Sequence, residues 1–164
     1  MSRIRSCLSL EASKRIYTSL LQTLFDSADV AWGEISGLLN ELHRLQNRAA
    51  RIILWKNTSN DAFCLLNWLN PTFRRKMHKC ILVFKCLSNL VAKYLTQYFT
   101  RNADMHDHAT TSSNDLYPPK PKRNVGKITF NYAGTIYFNS LPNCVKSATS
   151  VSSFKDMMIK YFIF

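Results

Sequence analysis

The chain has 164 residues, enough for one folded domain with a small appendage, and 46% of them are hydrophobic, as is usual for a folded protein. It carries 22 lysines and arginines against 10 aspartates and glutamates, a formal net charge of +12. This basic excess favours an anionic partner, most often nucleic acid and less often a membrane surface. With only 4 glycines and 5 prolines, the composition argues against a loop-rich or low-complexity chain.

The basic charge is concentrated in the middle of the chain. Between Ile35 and Arg101 there are eleven basic residues and two acidic ones. We therefore expect any electrostatic contact with an anionic partner to lie in this part.

The termini and the cysteines favour an intracellular protein. The five cysteines are odd in number and form no Cys-x-x-Cys pair, so a disulfide framework is not predicted. The charged start of the chain lacks the apolar core of a signal peptide. The longest apolar run, Cys80 to Leu87, is too short to span a bilayer. We expect no membrane partner, and the sequence leaves nucleus and cytoplasm open.

A first helix is predicted from about Leu10 to Phe25, with Ser9 as its N-cap, and a second and longer one from Leu38 to Trp55. The long helix has an apolar stripe at steps of four, three, four and three residues, made of Leu38, Leu42, Leu45, Ala49 and Ile52. A row of arginines lies roughly 120° away at about 100° per residue. This row consists of Arg44, Arg48 and Arg51. Two interpretations stay open for it, a solvated helix face and a row of phosphate contacts.

Another long helix is predicted to begin at Asn70-Pro71, because asparagine is a good N-cap and proline is favoured at the first helical position. It repeats the same stripe, with Phe73, Met77, Cys80, Phe84 and Leu87. The matched spacing predicts that the two long helices pack together. Its polar side supplies three further candidate phosphate contacts, Arg74, Arg75 and Lys79.

Residues 101–127 are polar and then proline-rich, which predicts an extended linker. Its basic cluster, Lys120, Lys122 and Arg123, is typical of a nucleic-acid tether, a nuclear localisation signal or a solvated linker. After it we predict a short strand at Lys127–Asn131, a helix at Tyr132–Leu141 and a last helix capped by Ser150. The predicted fold is therefore mainly α, a bundle of four to five helices with a long polar loop and a small α+β tail. Its predicted domains are residues 1–100, the linker 101–127 and the tail 128–164.

No catalytic constellation emerges, and we predict no catalytic residue, no metal and no cofactor. Cys80 and His78 are two residues apart, so on a helix they point to different faces. The four potential ligands Asp104, His106, Asp107 and His108 fit no known zinc spacing. The tryptophans Trp32, Trp55 and Trp68 are expected in the core, with stacking on bases as the alternative.

The segment Leu45–Ile52, LQNRAARI, resembles the C-terminal part of reverse transcriptases from non-LTR (LINE-like) retrotransposons. The resemblance extends over most of the chain, through short motifs whose order and spacing together are specific. These motifs are Ile16-Tyr17, Trp32-Gly33, Leu66-Asn67-Trp68-Leu69, Arg74-Arg75, Phe84-Lys85, Pro119–Arg123, Phe130–Gly134, Asn139–Pro142 and Phe154-Lys155.

Two departures from the family limit what the resemblance implies. Phe138 stands where the family usually has a tryptophan, and the chain has no adjacent acidic pair. Such polymerases need a carboxylate and an adjacent Asp-Asp pair to hold two magnesium ions. The resemblance therefore implies a non-catalytic, thumb-like region that follows a polymerase core and binds the backbone of RNA, DNA or a hybrid. A protein-interaction or dimerisation module and an inert degenerate fragment are the alternatives, and the oligomeric state stays open.

Overall fold

The computed structural model describes residues 6–27, 29–32, 36–55, 62–105 and 115–163. These residues are mainly helical, which confirms the predicted fold class. The chain divides into two compact units, Met1–Arg75 and Lys76–Phe164. The division falls inside a helix, and not near residue 100 where the sequence suggested a domain end. Residues 101–127, predicted as a linker, belong to the second unit.

The helices of the first unit follow the local start signals of the sequence. They are α1 (Leu10–Ile16), a π-helical segment (Tyr17–Gln22), α2 (Thr23–Asp26), α3 (Asp29–Trp32), α4 (Ser36–Leu54) and α5 (Ala62–Leu66), followed by the start of α6 (Pro71–Leu87). Ser9 caps α1 as predicted, because its hydroxyl accepts a hydrogen bond from the Ala12 N–H at 3.1 Å. Asn70 in the same way accepts from the Thr72 N–H at 2.9 Å before α6.

The π-helical segment follows from a cluster of hydroxyl side chains. Ser19 donates to the Arg15 carbonyl at 2.8 Å, and Thr23 donates to the Ser19 carbonyl at 3.0 Å. Such bonds compete with the backbone ladder and bend a helix. The segment begins at Tyr17, which is fully buried.

The core of the first unit is built around an aromatic stack. The rings of Tyr17 and Trp68 lie parallel with their centroids 4.0 Å apart. The buried members of this core are Tyr17, Ala49, Ala50, Ile53, Ala62 and Leu66. Trp68 therefore packs against the core, as the sequence predicted. The side chain of Trp32 is not among those that the structure describes.

The buried face of α4 agrees only partly with the predicted stripe. Ala49 of the stripe is 9% exposed, but Leu38 and Leu45 are 41% and 50% exposed, while Ala50 and Ile53, outside the stripe, are fully buried. The true buried face is turned by about 70° from the prediction at 100° per residue. On this face Ala49, Ala50 and Ile53 belong to the buried cluster of Tyr17, against which Trp68 packs.

The second unit continues α6 and adds α7 (Lys93–Thr96), α8 (Asn102–Met105), α9 (Asn124–Lys127), α10 (Phe130–Asn139), α11 (Asn143–Lys146) and α12 (Val151–Ile163). A turn at Ser88-Asn89 ends α6, with Asn89 at a φ of 55° and the Leu90 N–H donating to the Lys85 carbonyl at 2.9 Å. Ser150 caps α12 as predicted, accepting from the Ser153 N–H at 3.1 Å.

Aromatic rings hold α6, α10 and α12 together in the second unit. Phe84 stacks on Phe154 with a centroid distance of 4.4 Å, and Phe138 lies 6.3 Å from Phe154. The stripe residues Met77, Cys80 and Phe84 are buried, as predicted for this helix. In the first unit α4 packs on α1 and α5. In the second unit Phe84 of the α6 stripe packs on Phe154 of α12. The packing of the two long helices on each other through matched stripes stays a prediction.

The strand predicted at Lys127–Asn131 is wrong. Residues 124–127 form α9 and the chain turns at Ile128 into α10, with the Ile128 N–H bound to the Val125 carbonyl at 3.3 Å. The β-branched pair Ile128 and Thr129 suggested a strand, but here only Thr129 is extended, as the residue before a helix. Within the described ranges there is no strand, and the one isolated bridge joins Arg101 to Leu116.

We expect Gly134 and Val83 to be energetically coupled. A Cβ at Gly134 would lie 2.9 Å from Val83 Cγ2 and 3.3 Å from the Phe130 ring. Gly134→Ala should therefore cost about 1 kcal/mol, since overpacking outweighs the better helix propensity of alanine. In that background Val83→Ala should cost less than in the wild type, by about 1 kcal/mol, because the added methyl occupies the vacated space.

Urea unfolding followed by circular dichroism of the wild type, both single variants and the double variant measures this coupling. Ile136→Ala serves as a control, since Ile136 lies on the same helix and is 41% exposed. Strict additivity of the two single changes would contradict the close approach of α6 and α10.

Candidate nucleic-acid interface

The arginine row of α4 points away from the core. Arg44, Arg48 and Arg51 are all exposed, whereas Gln46 and Ile53 on the other side are 4% and 0% exposed. At about 100° per residue the centre of the row lies about 180° from the centre of the buried face. The packing of α4 therefore directs all three guanidinium groups towards solvent.

The row is not neutralised by its surroundings. No ion pair or hydrogen bond joins Arg44, Arg48 or Arg51 to any residue in the described ranges. Guanidinium groups in this state can form charge-assisted, bidentate hydrogen bonds to phosphate oxygens without first breaking an internal contact.

Trp55 lies at the C-terminal end of the row and is 67% exposed, so its predicted place in the core is wrong. It is the first residue after α4 and has a φ of 53°, in the left-handed region. That conformation costs a residue with a side chain about 1 to 2 kcal/mol. Among the residues that the structure describes, the other two in this region are Asn67 and Asn89, and asparagine tolerates it. A tryptophan is therefore an unusual choice at this helix end.

Three candidates on α6 are not on an open basic surface. Arg74 Nε lies 2.8 Å from the Asp26 carboxylate, and the Gln22 amide packs against the same guanidinium. Arg75 and Lys79 are 5% and 1% exposed. Burial prevents Arg75 and Lys79 from reaching a phosphate in this conformation, and Arg74 would have to leave its carboxylate. We therefore remove these three from the candidate interface.

In the second unit the ammonium groups of Lys76 and Lys79 lie over the Tyr137 ring, 5.3 and 5.8 Å from its centroid. In this cation–π geometry the ring face attracts both ammonium groups. Cys80 is fully buried beside them, and burial raises the pKa of its thiol to about 12, against the opposing effect of both lysines. A thiol with this pKa is not a nucleophile at neutral pH, and Cys80 is a core residue as predicted.

A small cleft in the first unit surrounds Arg74. It is lined by Tyr17, Gln22, Phe25, Asp26, Leu42, Gln46, Pro71, Arg74 and Arg75. Burial is the main cause that raises the pKa of Tyr17 to about 12, while Arg74 lowers it and Asp26 raises it. The buried Tyr17 hydroxyl forms no hydrogen bond with the described residues.

The second basic surface is the proline-rich segment. Lys120, Lys122 and Arg123 are exposed, as is Lys127 in α9. The segment is folded back on itself, since a Cβ at Gly126 would lie 2.5 Å from Pro121 Cβ. Only glycine allows this approach, so the basic side chains are carried by an ordered turn and not by an open linker.

The start of this segment is fixed on two sides. Asn139 accepts from the Leu116 N–H and donates to the Leu116 carbonyl, both at 2.8 Å. Lys146 donates to the Asp115 carboxylate at 2.7 Å and to the Asn139 carbonyl at 2.8 Å. On the other side the Tyr117 N–H donates to the Thr100 carbonyl at 2.9 Å. Leu116, at the centre of these bonds, is fully buried.

Sequence reasoning missed the positions of Trp55 and Asn139. The spacing could have indicated Trp55, because 44, 48, 51 and 55 continue the same four, three, four pattern. Asn139 was noted only as part of a motif, and nothing local shows that its amide would bind a backbone 23 residues away. His106 and the neighbouring ligand types 107 and 108 lie outside the described residues.

No protein-family model, curated protein or solved structure matches the chain. The likeness to non-LTR reverse transcriptases therefore stays a prediction from the motifs. None of the helices in the described ranges combines the length and the apolar character needed to cross a membrane.

We expect Asn139→Leu to release the proline-rich segment. The change removes both hydrogen bonds to Leu116 and should cost about 1 to 3 kcal/mol, because a buried backbone pair loses its partners. Trypsin should then cut faster after Lys122 and Arg123, since local opening controls such cleavage. Asn143→Leu, at an exposed position, is the control. Equal cleavage rates in both variants would contradict the inference that Asn139 holds the segment in place.

We expect Tyr17→Phe to change how stability depends on pH. The pKa of Tyr17 is about 12 in the folded state and 10.0 ordinarily. As the pH rises, the Tyr17 hydroxyl therefore loses its proton in the unfolded chain before it does so in the folded one. The contribution of the protonated hydroxyl to the free energy of unfolding is complete below pH 10 and is lost as the pH rises towards 12. The variant should show a shallower loss of unfolding free energy over this interval and keep the stack on Trp68.

Urea titrations across alkaline pH measure the effect, with Tyr94→Phe as the control because Tyr94 is 66% exposed. A wild type and a Tyr17→Phe variant with parallel pH profiles would show that the hydroxyl is not buried in solution.

Proposed function

We propose that this chain is a non-catalytic, basic helical module that binds the backbone of nucleic acid. It corresponds to the thumb-like region that follows the catalytic core of a non-LTR reverse transcriptase. The observation that carries the proposal is the exposed, unneutralised row of Arg44, Arg48 and Arg51 on the side of α4 opposite the core.

The geometry of the row suits a phosphate backbone. The rise of about 1.5 Å per residue places successive arginines about 6 Å and about 4.5 Å apart along the helix axis. Phosphates on one strand of a duplex follow each other about every 3.4 Å along its axis, so the row can reach several of them. Such contacts carry no sequence information and depend strongly on salt.

The ordered basic turn at Lys120, Lys122 and Arg123 supports the same function in the second unit. Ordering by Asn139 and Gly126 lowers the entropy that a flexible tether would lose on binding. Its basic side chains are again exposed. Each unit thus has a basic surface of its own.

Exposed leucines in the first unit support a second function, contact with a protein partner such as a polymerase core. Leu20 and Leu24 are 61% and 68% exposed and lie four residues apart along one helical stretch. Leu45 on α4 adds a third exposed apolar side chain. A helical row of exposed leucines is typical of a surface that a partner covers.

We expect binding of a labelled RNA–DNA hybrid to fall steeply with salt in fluorescence anisotropy. In the triple variant Arg44→Ala, Arg48→Ala, Arg51→Ala, the slope of log K against log salt should flatten by about 2 to 3, since each lost phosphate contact contributes about 0.7 to 0.9. A second variant with alanine at 120, 122 and 123 tests the other basic surface in the same way.

The matched control is Arg15→Ala, Lys155→Ala, Lys160→Ala, which removes the same charge from exposed positions outside both surfaces. Equal flattening in the control would reduce the effect to net charge and refute the α4 interface. A wild type that shows no binding at low salt, but associates with itself or with a polymerase core, would support the protein-contact function instead.

A further inference from the structure

Trp55 extends the arginine row of α4 with an aromatic ring. It follows Arg51 by four residues, as Arg48 follows Arg44, and α4 is helical up to Leu54. Its Cα is therefore still placed by the register of the helix, at the end of the row. The complete row Arg44, Arg48, Arg51 and Trp55 spans about 16 Å at 1.5 Å per residue.

The exposure of Trp55 is an independent observation that points to a ligand. The residue is 67% exposed, although tryptophan is among the residues that gain most from burial. Its backbone has a φ of 53°, which favours glycine or asparagine, and within the described ranges the other non-glycine residues with a positive φ are both asparagines. Strain retained at an exposed aromatic residue motivates a functional hypothesis.

We propose that Arg44, Arg48, Arg51 and Trp55 form a subsite for single-stranded nucleic acid, in which the arginines contact phosphates and the indole stacks on an unpaired base. This inference rests on the proposed function and narrows its substrate class. Phosphate contacts alone do not separate single from double strands. A stacking ring does, because bases inside a duplex are already stacked on their neighbours.

The subsite combines the two elements of sequence-independent single-strand binding, a basic track along the backbone and an aromatic platform for a base. Every base has a flat face, so the stack adds affinity without reading sequence. An RNA or DNA strand with an unpaired segment is accordingly the partner that fits this surface.

The test compares a mixed-sequence single strand with a blunt duplex of the same length, both labelled and at one salt concentration. We expect Trp55→Asn to weaken single-strand binding about 5- to 100-fold, as for the loss of one stacked base, and to change duplex binding less than about 2-fold. Trp55→Phe should keep most of the single-strand affinity. Asparagine is chosen because it tolerates the left-handed backbone, so the variant should keep the fold.

Leu45→Asn is the control for a lost apolar group, since Leu45 is on the same helix and 50% exposed. It should leave both affinities unchanged. Wild-type tryptophan fluorescence should be quenched on adding the single strand, and this quenching should shrink in Trp55→Phe. Circular dichroism melts of each variant show whether the fold is kept.

The outcomes separate this inference from the proposed function. If the wild type binds neither ligand, both fall together. If it binds, but Trp55→Asn lowers both affinities equally or neither, the single-strand subsite is refuted and backbone binding survives. If Trp55→Asn instead reduces self-association with unchanged nucleic-acid affinity, Trp55 belongs to a protein contact.

Discussion

The close packing of Ala49 and Ala50 against an aromatic core determines what the first unit presents to solvent. Tyr17 stacks on Trp68 at 4.0 Å, and both alanines belong to the same buried cluster. A helix fixed through one face has no freedom to rotate, so residues about 180° around it must lie in solvent. The exposed arginine row therefore follows from the burial of the opposite face of α4, which includes Ala49, Ala50 and Ile53.

The helices could be predicted from the sequence because local interactions determine where they begin. Their packing could be predicted only in part, because it depends on residues that are far apart in the chain. Ser9, Asn70 and Ser150 bind backbone N–H groups within three residues, so their effect is visible in a short stretch of sequence. The orientation of α4 depends on Tyr17, which is far away in the chain. Periodicity gives weight to large apolar residues such as Leu45, whereas close packing in this core also buries the small Ala49 and Ala50.

The same limit applies to the basic residues. Arg48 and Arg75 look alike in the sequence, but Arg48 is exposed, whereas Arg75 is buried with 5% of its surface exposed. Arg74 meets Asp26, and Lys79 lies over Tyr137, both partners that no local pattern links to α6. Net charge suggested an anionic partner, yet the charge available at the surface depends on long-range packing. The sequence therefore indicated the exposed arginines of α4 and the exposed basic residues at 120, 122 and 123, but it missed the folded-back turn that carries the latter and the burial of Arg75 and Lys79 on α6.

In both units, uncharged residues decide where the charges are displayed. Alanines orient the row on α4, and the amide of Asn139 fixes the segment that leads to Lys120 and Arg123. Ala49, Ala50 and Asn139 carry no charge, so salt does not screen the contacts that they make. The segment before Lys120 is also held by the ion pair between Lys146 and Asp115, which is mostly buried on the lysine side and is therefore screened less than the exposed basic side chains. Salt should thus weaken the electrostatic attraction of the two basic surfaces more than the contacts that hold them in place.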